Sequence, residues 1–384
     1  MTTRFLTILS TCLLLSLFTV ASVFAQETTS PADTGENTDA ITAVEKIKED
    51  IYEAVVIRVL EESVRTEFGQ ALFFQKVEIK FTTGDLSGQT MLIENGNQPV
   101  SQTNKYKPRD KVVVTKSPGF EGEDDLYIIT DYVRRGSLVY LALIFTILAV
   151  IIGGRWGIAS LLGMAISFLV VLYYILPQIS SGTNPVFVAI TGSMVIIPVT
   201  FYLSHGLNRK THIAIIATVI ALIITGLLAR LFIEASHLTG FASEEATFLS
   251  FAYGGNINIK GLLLAGIIIS NLGVLDDVTV SQAAIVFELK KANPKLSIDK
   301  LYSGALKIGR DHISSMINTL ILVYAGASLP LLLLFVDSPY TFSQAVNFEI
   351  IAEEIIRTLV GSIGLILSVP IATLIAAKSA NKKS

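Results

Sequence analysis

Two adjacent carboxylates, Asp276 and Asp277, sit in GLLLAGIIISNLGVLDDVTVSQAAIVF (residues 261–287), which is otherwise apolar enough to cross a bilayer. An ionised carboxylate in hydrocarbon costs several kcal/mol unless it meets a partner, water or an ion, so this segment is the first place to expect a functional site. Two acids close together in a low dielectric compete for charge, which is the physical basis of a proton- or cation-coupled site. The helical period aligns Ser270, Gly273, Asp277, Ser281, Ala284 and Glu288 on one stripe and sets Asp276 and Thr279 about 100° round. That small, polar stripe is expected to line a protein interior or a wet cavity. A purely structural role, anchoring the helix end or satisfying packing partners, is the bland alternative.

A second constellation lies in KIGRDHISSMINTLILVYAGASLP (307–330), where Asp311, Ser315, Asn318 and Leu322 recur on one face, with Thr319 beside them. An asparagine amide both donates and accepts, so Asn318 suits either a helix bridge or the replacement of a solute's hydration. Within a transport reading, Asp277 binds the coupling proton or cation and Asp276 tunes it, while Ser281, Asn318 and Thr319 supply neutral hydrogen-bonding groups. Arg310 closes the internal side and Asp311 positions it. Pro330 is expected to kink its helix. Glu353 and Glu354 stand four and three residues before Arg357, spacings that allow a neutralising ion pair; this is read as structural. Arg230 beside Glu234 is explained by pairing or snorkelling.

Other chemistry finds little footing. His205, His212, His237 and His312 form no shared metal signature, and no G-x-S-x-G turn or Walker sequence occurs. The acidic run FEGEDD (120–125) lacks the alternating ligands of a calcium loop. Gly153, Gly154, Gly157 and Gly163 suit close helix packing rather than phosphate binding. The expectation is therefore no enzyme and no cofactor, with a metal left open.

The elements that must position these residues follow from composition. Of 384 residues, 51% are hydrophobic and 16% charged, the profile of a membrane protein. Apolar runs near 138–154, 157–176, 184–203, 213–233, 259–283, 313–336 and 351–376 predict seven spans, the first two joined tightly around Arg155 and Trp156. Residues 234–258 could hold a partial or re-entrant helix. The first 25 residues resemble a signal peptide cut after Ala25, with Cys12, the one cysteine, inside it. A mature chain would then hold no thiol.

Residues 26–50 form a polar tether. Residues 51–135 contain about five short β-branched or aromatic runs separated by turn residues, which predicts a small closed or partly closed β-barrel, OB-like, exported ahead of a seven-helix domain at 136–384. Its expected core includes Val55, Ile57, Phe81, Leu92, Val113 and Ile128, and Phe73 and Phe74 are read as strand core too. From Gln26 to Ser137 there are 13 Lys/Arg against 20 Asp/Glu, whereas Leu138–Ser384 carries 15 against 12. An acidic exported part and basic internal loops satisfy the positive-inside rule and put the C-terminus inside. The acidic part also argues against nucleic acid.

ISNLGVLDDVTVSQA (269–283) together with YSGALKIGRDHISSMINTLILVYAGASLP (302–330) resembles the YibE/F-like family of bacterial multi-pass membrane proteins, over roughly residues 50–376. The resemblance implies a bacterial cell membrane and a permease-like body. It carries Asp277, Ser281, Arg310, Asp311, Asn318 and Thr319 across most readily. Asp276 marks a departure, since relatives place Met-Asp at Leu275-Asp276-Asp277. The functional expectation is a secondary transporter or permease, proton- or cation-coupled, moving a small solute or ion amid membrane lipids. The competing expectation is a noncatalytic protein that binds an envelope partner.

Overall fold

The computed structural model describes residues 50–67, 70–96, 104–117, 125–336 and 338–381. The expected leader and nearly all of the tether lie outside these residues, as do Glu121, Glu123, Asp124 and Asp337. Two compact units divide between Thr146 and Ile147.

The first unit holds one five-stranded antiparallel sheet: β1 (Asp50–Glu67), β2 (Gln70–Phe81), β3 (Thr90–Asn95), β4 (Lys111–Ser117) and β5 (Leu126–Tyr132), in the order β3-β2-β1-β4-β5. β1 pairs with β4 through residues 50–55 and with β2 from Ala54 onward, with register shifts at Val56/Arg58 and Val59/Glu61. Such bulges add twist, and they let one long strand serve both halves of a curved half-barrel. The core is Ala54, Val56, Phe74, Val77, Ile79, Phe81, Ile93, Val112, Val114 and Ile129.

Of the expected core, Phe81 is buried, whereas Ile57 and Leu92 are 42% and 52% exposed and Val55, Val113 and Ile128 are only half-buried. Five of the six expected positions are one residue out of phase with the buried face. A strand's side-chain period is two, so that single step moves every residue to the other face. Phe74 joins the core as expected; Phe73 instead lies under the Lys105 ammonium, 5.2 Å from it. The same ammonium bonds Glu62 and holds that carboxyl below the usual range. Fully buried Gln75 exchanges hydrogen bonds with the Tyr106 backbone, Oε1 accepting from N at 2.8 Å and Nε2 donating to O at 3.1 Å. This pins the segment before β4 over the core.

The remaining chain is helical: α1 (Arg135–Val170) runs through a π turn (Val171–Ile175) into α2 (Leu176–Ser180), followed by α3 (Pro185–His205), α4 (Arg209–Ala235), α5 (Glu244–Ala252), α6 (Ile259–Ala292), α7 (Ile298–Ala327), α8 (Leu329–Val336), α9 (Phe342–Ala345) and α10 (Glu349–Asn381). Five helical stretches are long and apolar enough to cross a membrane: 135–180, α3, α4, α6 and α10. The expected first two spans share the first stretch, which is broken at Gly154 by a left-handed residue (φ 56, ψ −136). A Cβ on Gly157 would lie 2.1 Å from the Ala149 carbonyl, so the chain bends back sharply there. In a straight helix residues eight apart are separated by about 12 Å.

The expected sixth span is a bent pair, α7 and α8, angled 69° apart. The break falls at Ser328, two residues before Pro330. Pro330 thereby occupies the first turn of α8, where its missing N–H leaves no helix bond unmade. Between α4 and α6 the nine-residue α5 has no buried residue and is too short to span.

Candidate functional site

Long-range contacts fix how the helices run. Thr218 and Thr279 hydroxyls meet at 2.6 Å, Lys210 bonds Glu288 at 2.9 Å, and Gly226 sits against Ile268. Residue numbers rise on α4 as they fall on α6, so these two helices are antiparallel. Arg209 donates to the Ser379 carbonyl at 3.0 Å while Gly364 abuts Thr225, which makes α4 antiparallel to α10 as well. The three-helix centre is held at glycine contacts: a Cβ on Gly361 would lie 2.5 Å from Asn271 Oδ1, and one on Gly364 would lie 2.1 Å from Thr225 Oγ1. Helices in apolar surroundings gain little from excluding water, so such close approach is how they associate.

The polar groups in this centre are paired. Gln282 Nε2 donates to Ala305 O at 2.9 Å and to Thr373 Oγ1 at 2.7 Å, tying α6, α7 and α10 together. Asn271 Nδ2 donates to Ile267 O and Thr225 Oγ1 to Ala221 O, each at 2.8 Å. Asp276 is different. It is half-buried, and its Oδ1 is enclosed without a hydrogen-bond partner. An acceptor left without a donor in a packed interior is costly unless it is protonated or hydrated.

Asp277, one residue on, is exposed. So are Gly266, Ser270, Gly273, Ser281 and Glu288, and a Cβ on Gly266 or Gly273 would touch nothing within 4 Å. The small polar stripe expected to line an interior thus faces outward among the described residues, and the inward face of α6 is Asn271, Leu275, Val278, Thr279, Gln282 and Val286. Arg310, Asp311, Asn318 and Thr319 on α7 are exposed too. α6 and α7 do touch, through Gln282 and an apolar cluster of Val274, Val278, Ile313, Met316, Ile317 and Leu320. Among the described residues no hydrogen bond or ion pair joins Asp276, Asp277 or Ser281 to Arg310, Asp311, Asn318 or Thr319.

The expected ion pairs are present. Arg357 reaches Glu353 and Glu354 at 2.5 Å each, and Arg230 meets Glu234 at 3.1 Å. Side-chain exposures of 28%, 14% and 26% for Arg357, Glu353 and Glu354 make that triad partly buried. Arg357→Ala strands two carboxylates and is expected to destabilise by about 2 kcal/mol, below the roughly 3–5 of a fully buried pair. The triple change Glu353→Gln, Glu354→Gln, Arg357→Gln should recover most of the loss in a detergent unfolding assay.

One clamp had no signal in the sequence. Glu349 at the start of α10 accepts from Thr239 N at 2.6 Å, Gly240 N at 2.7 Å and the Thr239 hydroxyl at 2.9 Å. It ties α10 to the turn after α4. Gly240 is required there: its φ is +86°, and a Cβ would lie 2.9 Å from Ile259 O. The pairing spans 110 residues, and no local pattern announces it.

The profile of the YibE/F-like protein family matches residues 141–382, which takes in every helix from the second turn of α1 onward. The chain belongs to the YibE/F-like family. Neither the curated proteins nor the solved structures yield a match to it. The matched region of this YibE/F-like chain contains Asp276, Asp277, the α4–α6–α10 centre and the α7 polar face. The half-barrel precedes it.

Proposed function

We propose that this YibE/F-like chain is a secondary transporter or permease of the bacterial cell membrane, coupled to a proton or small cation through Asp276. The observation that carries the reading is the enclosed, partnerless Asp276 Oδ1 on a helix whose other inward polar groups are hydrogen-bonded. Coupled transport sites are built from intramembrane carboxylates flanked by interrupted helices. The broken α7–α8 pair supplies such an interruption. Asp276, rather than the exposed Asp277, takes the binding role in this reading, with Asp277 tuning it.

The proposed topology has seven crossings: two in 135–180 divided at Gly154, one each in α3, α4, α6 and α10, and one in the α7–α8 pair. The half-barrel, OB-like, lies outside, behind a cleaved leader, and the C-terminus lies inside. Charge supports this orientation. Arg209, Lys210, Lys290, Lys291, Lys295, Lys300 and Lys378 crowd one end of the bundle, while Glu234, Glu349, Glu353 and Glu354 lie toward the other. Reporter fusions at Lys210, Glu244, Ser297 and the C-terminus are expected to read in, out, in, in; an external C-terminus would contradict the seven-crossing map. Function is tested in liposomes, where an imposed proton or sodium gradient should drive a solute or ion across.

A second reading has its own observation. The polar faces of α6 and α7 stand exposed, which suits a protein that joins an envelope partner and moves nothing. Cross-linking through residues 50–135 to a stable partner, with no flux from the complex, would favour it.

A further inference from the structure

The end of the bundle where α3 and α6 begin and α4 finishes holds few cations, and two of them share one cavity. Arg230, Lys260 and Arg357 are the basic side chains of α4, α6 and α10 at this end, and Arg357 is committed to Glu353 and Glu354. Arg230 and Lys260 line a groove of about 540 Å³ together with Glu234, Asn184 and Asn258. Lys260 has no ion-pair partner among the described residues. Arg230 meets Glu234 through Nε at 3.1 Å, and its terminal guanidinium nitrogens have none.

The two asparagines add donors. Asn184 Oδ1 accepts from Val186 N and Phe187 N, and Asn258 Oδ1 accepts from Gly261 N, so both oxygens are occupied in capping. Their Nδ2 groups have no acceptor among the described residues. The polar part of the groove therefore offers donors to an anion and carries a net charge of +1, from two cations and one carboxylate. Its remaining wall is apolar, with Phe187 61% and Ile190 43% exposed beside Leu264. A free anion has no use for that wall. A molecule with a monoanionic head and a hydrocarbon tail matches both parts.

We infer that this groove binds a phospholipid whose headgroup carries a single net negative charge, its phosphate diester held by Lys260, Arg230 and the two asparagine amides and an acyl chain laid along Phe187, Ile190 and Leu264. Glu234 selects against more highly charged heads. Charge complementarity commits the site to a lipid of the phosphatidylglycerol type over zwitterionic phosphatidylcholine.

The test is native mass spectrometry of the full-length chain in detergent with phosphatidylglycerol and phosphatidylcholine added in equal amounts. Phosphatidylglycerol should be retained over phosphatidylcholine, and Lys260→Gln should lower its retention about fivefold, the effect of about one cation at an anionic headgroup. Adding Arg230→Gln should remove the preference, whereas Lys291→Gln with Lys295→Gln at the opposite end should leave it intact. Glu234→Gln should strengthen retention, a gain that a misfolded variant could not produce. Equal retention of the two lipids by the unaltered chain, or unchanged retention in the double variant, would overturn the proposal. Displacement of the lipid by excess inorganic phosphate would replace it with a free-anion site.

Discussion

Gly364→Leu is expected to leave almost no folded helical bundle after detergent extraction. The position faces Thr225, whose Oγ1 would stand 2.1 Å and whose Cβ would stand 3.2 Å from the new Cβ. Thr225 is fully buried and hydrogen-bonded to Ala221 O, and a β-branched side chain in a helix has few rotamers to escape into. One added methyl in a packed interior costs about 1–3 kcal/mol, and the rest of a leucine must separate α4 from α10. The milder Gly364→Ala should be destabilised within that range, and Thr225→Gly in its background should restore much of the loss. Gly266→Leu serves as the contrast, because its Cβ meets nothing within 4 Å and the bundle should accept it. Size-exclusion profiles and unfolding midpoints of the four variants check the set. Equal behaviour of Gly364→Leu and Gly266→Leu would mean that the α4–α6–α10 packing is not as described.

How much of this was legible in the sequence depended on the kind of signal. Long apolar runs located α3 and α4 and the starts of α6 and α10 to within about four residues, because a helix of that length and composition has few alternatives, whereas α6 and α10 run on past the apolar runs into polar residues. The ion pairs of Arg357 and Arg230 were legible because i,i+3 and i,i+4 spacing is a local property of a helix. The strand faces were not. Val55, Val56 and Ile57 are apolar in succession, so alternation could not say which one points inward, and two bulges in β1 reset the phase again.

On α6 the same difficulty took another form. The helix is apolar nearly all round, and its polar residues divide into a buried set (Asn271, Thr279, Gln282) and an exposed set (Ser270, Asp277, Ser281). Periodicity finds both stripes but does not say which one meets α4 and α10; that is decided by the glycines of α10, some ninety residues away. The family resemblance singled out segments of α6 and α7. It could not rank Asp276 against Asp277, which differ in environment because successive helical residues are turned by about 100°.

That ranking leads to the second large effect. Asp276→Asn keeps the shape of the side chain and removes its ionisable character, so the bundle should still assemble while coupling is lost. Asp277→Asn should weaken flux without abolishing it, since an exposed carboxylate can tune a neighbouring site but does not enclose an ion. The order of the two variants separates a binding role from a tuning role. If Asp276→Asn instead disrupts folding, the carboxylate would be shown to have a structural role.

The most direct measurement is gradient-driven uptake by the full-length chain in liposomes, across a panel of ions and small solutes, with and without Asp276→Asn. The account predicts that at least one member of the panel is taken up when a proton or sodium gradient is imposed, and that Asp276→Asn reduces this to the level of protein-free liposomes. Uptake by the unaltered chain that survives unchanged in Asp276→Asn, or no uptake by either across the panel, would contradict it.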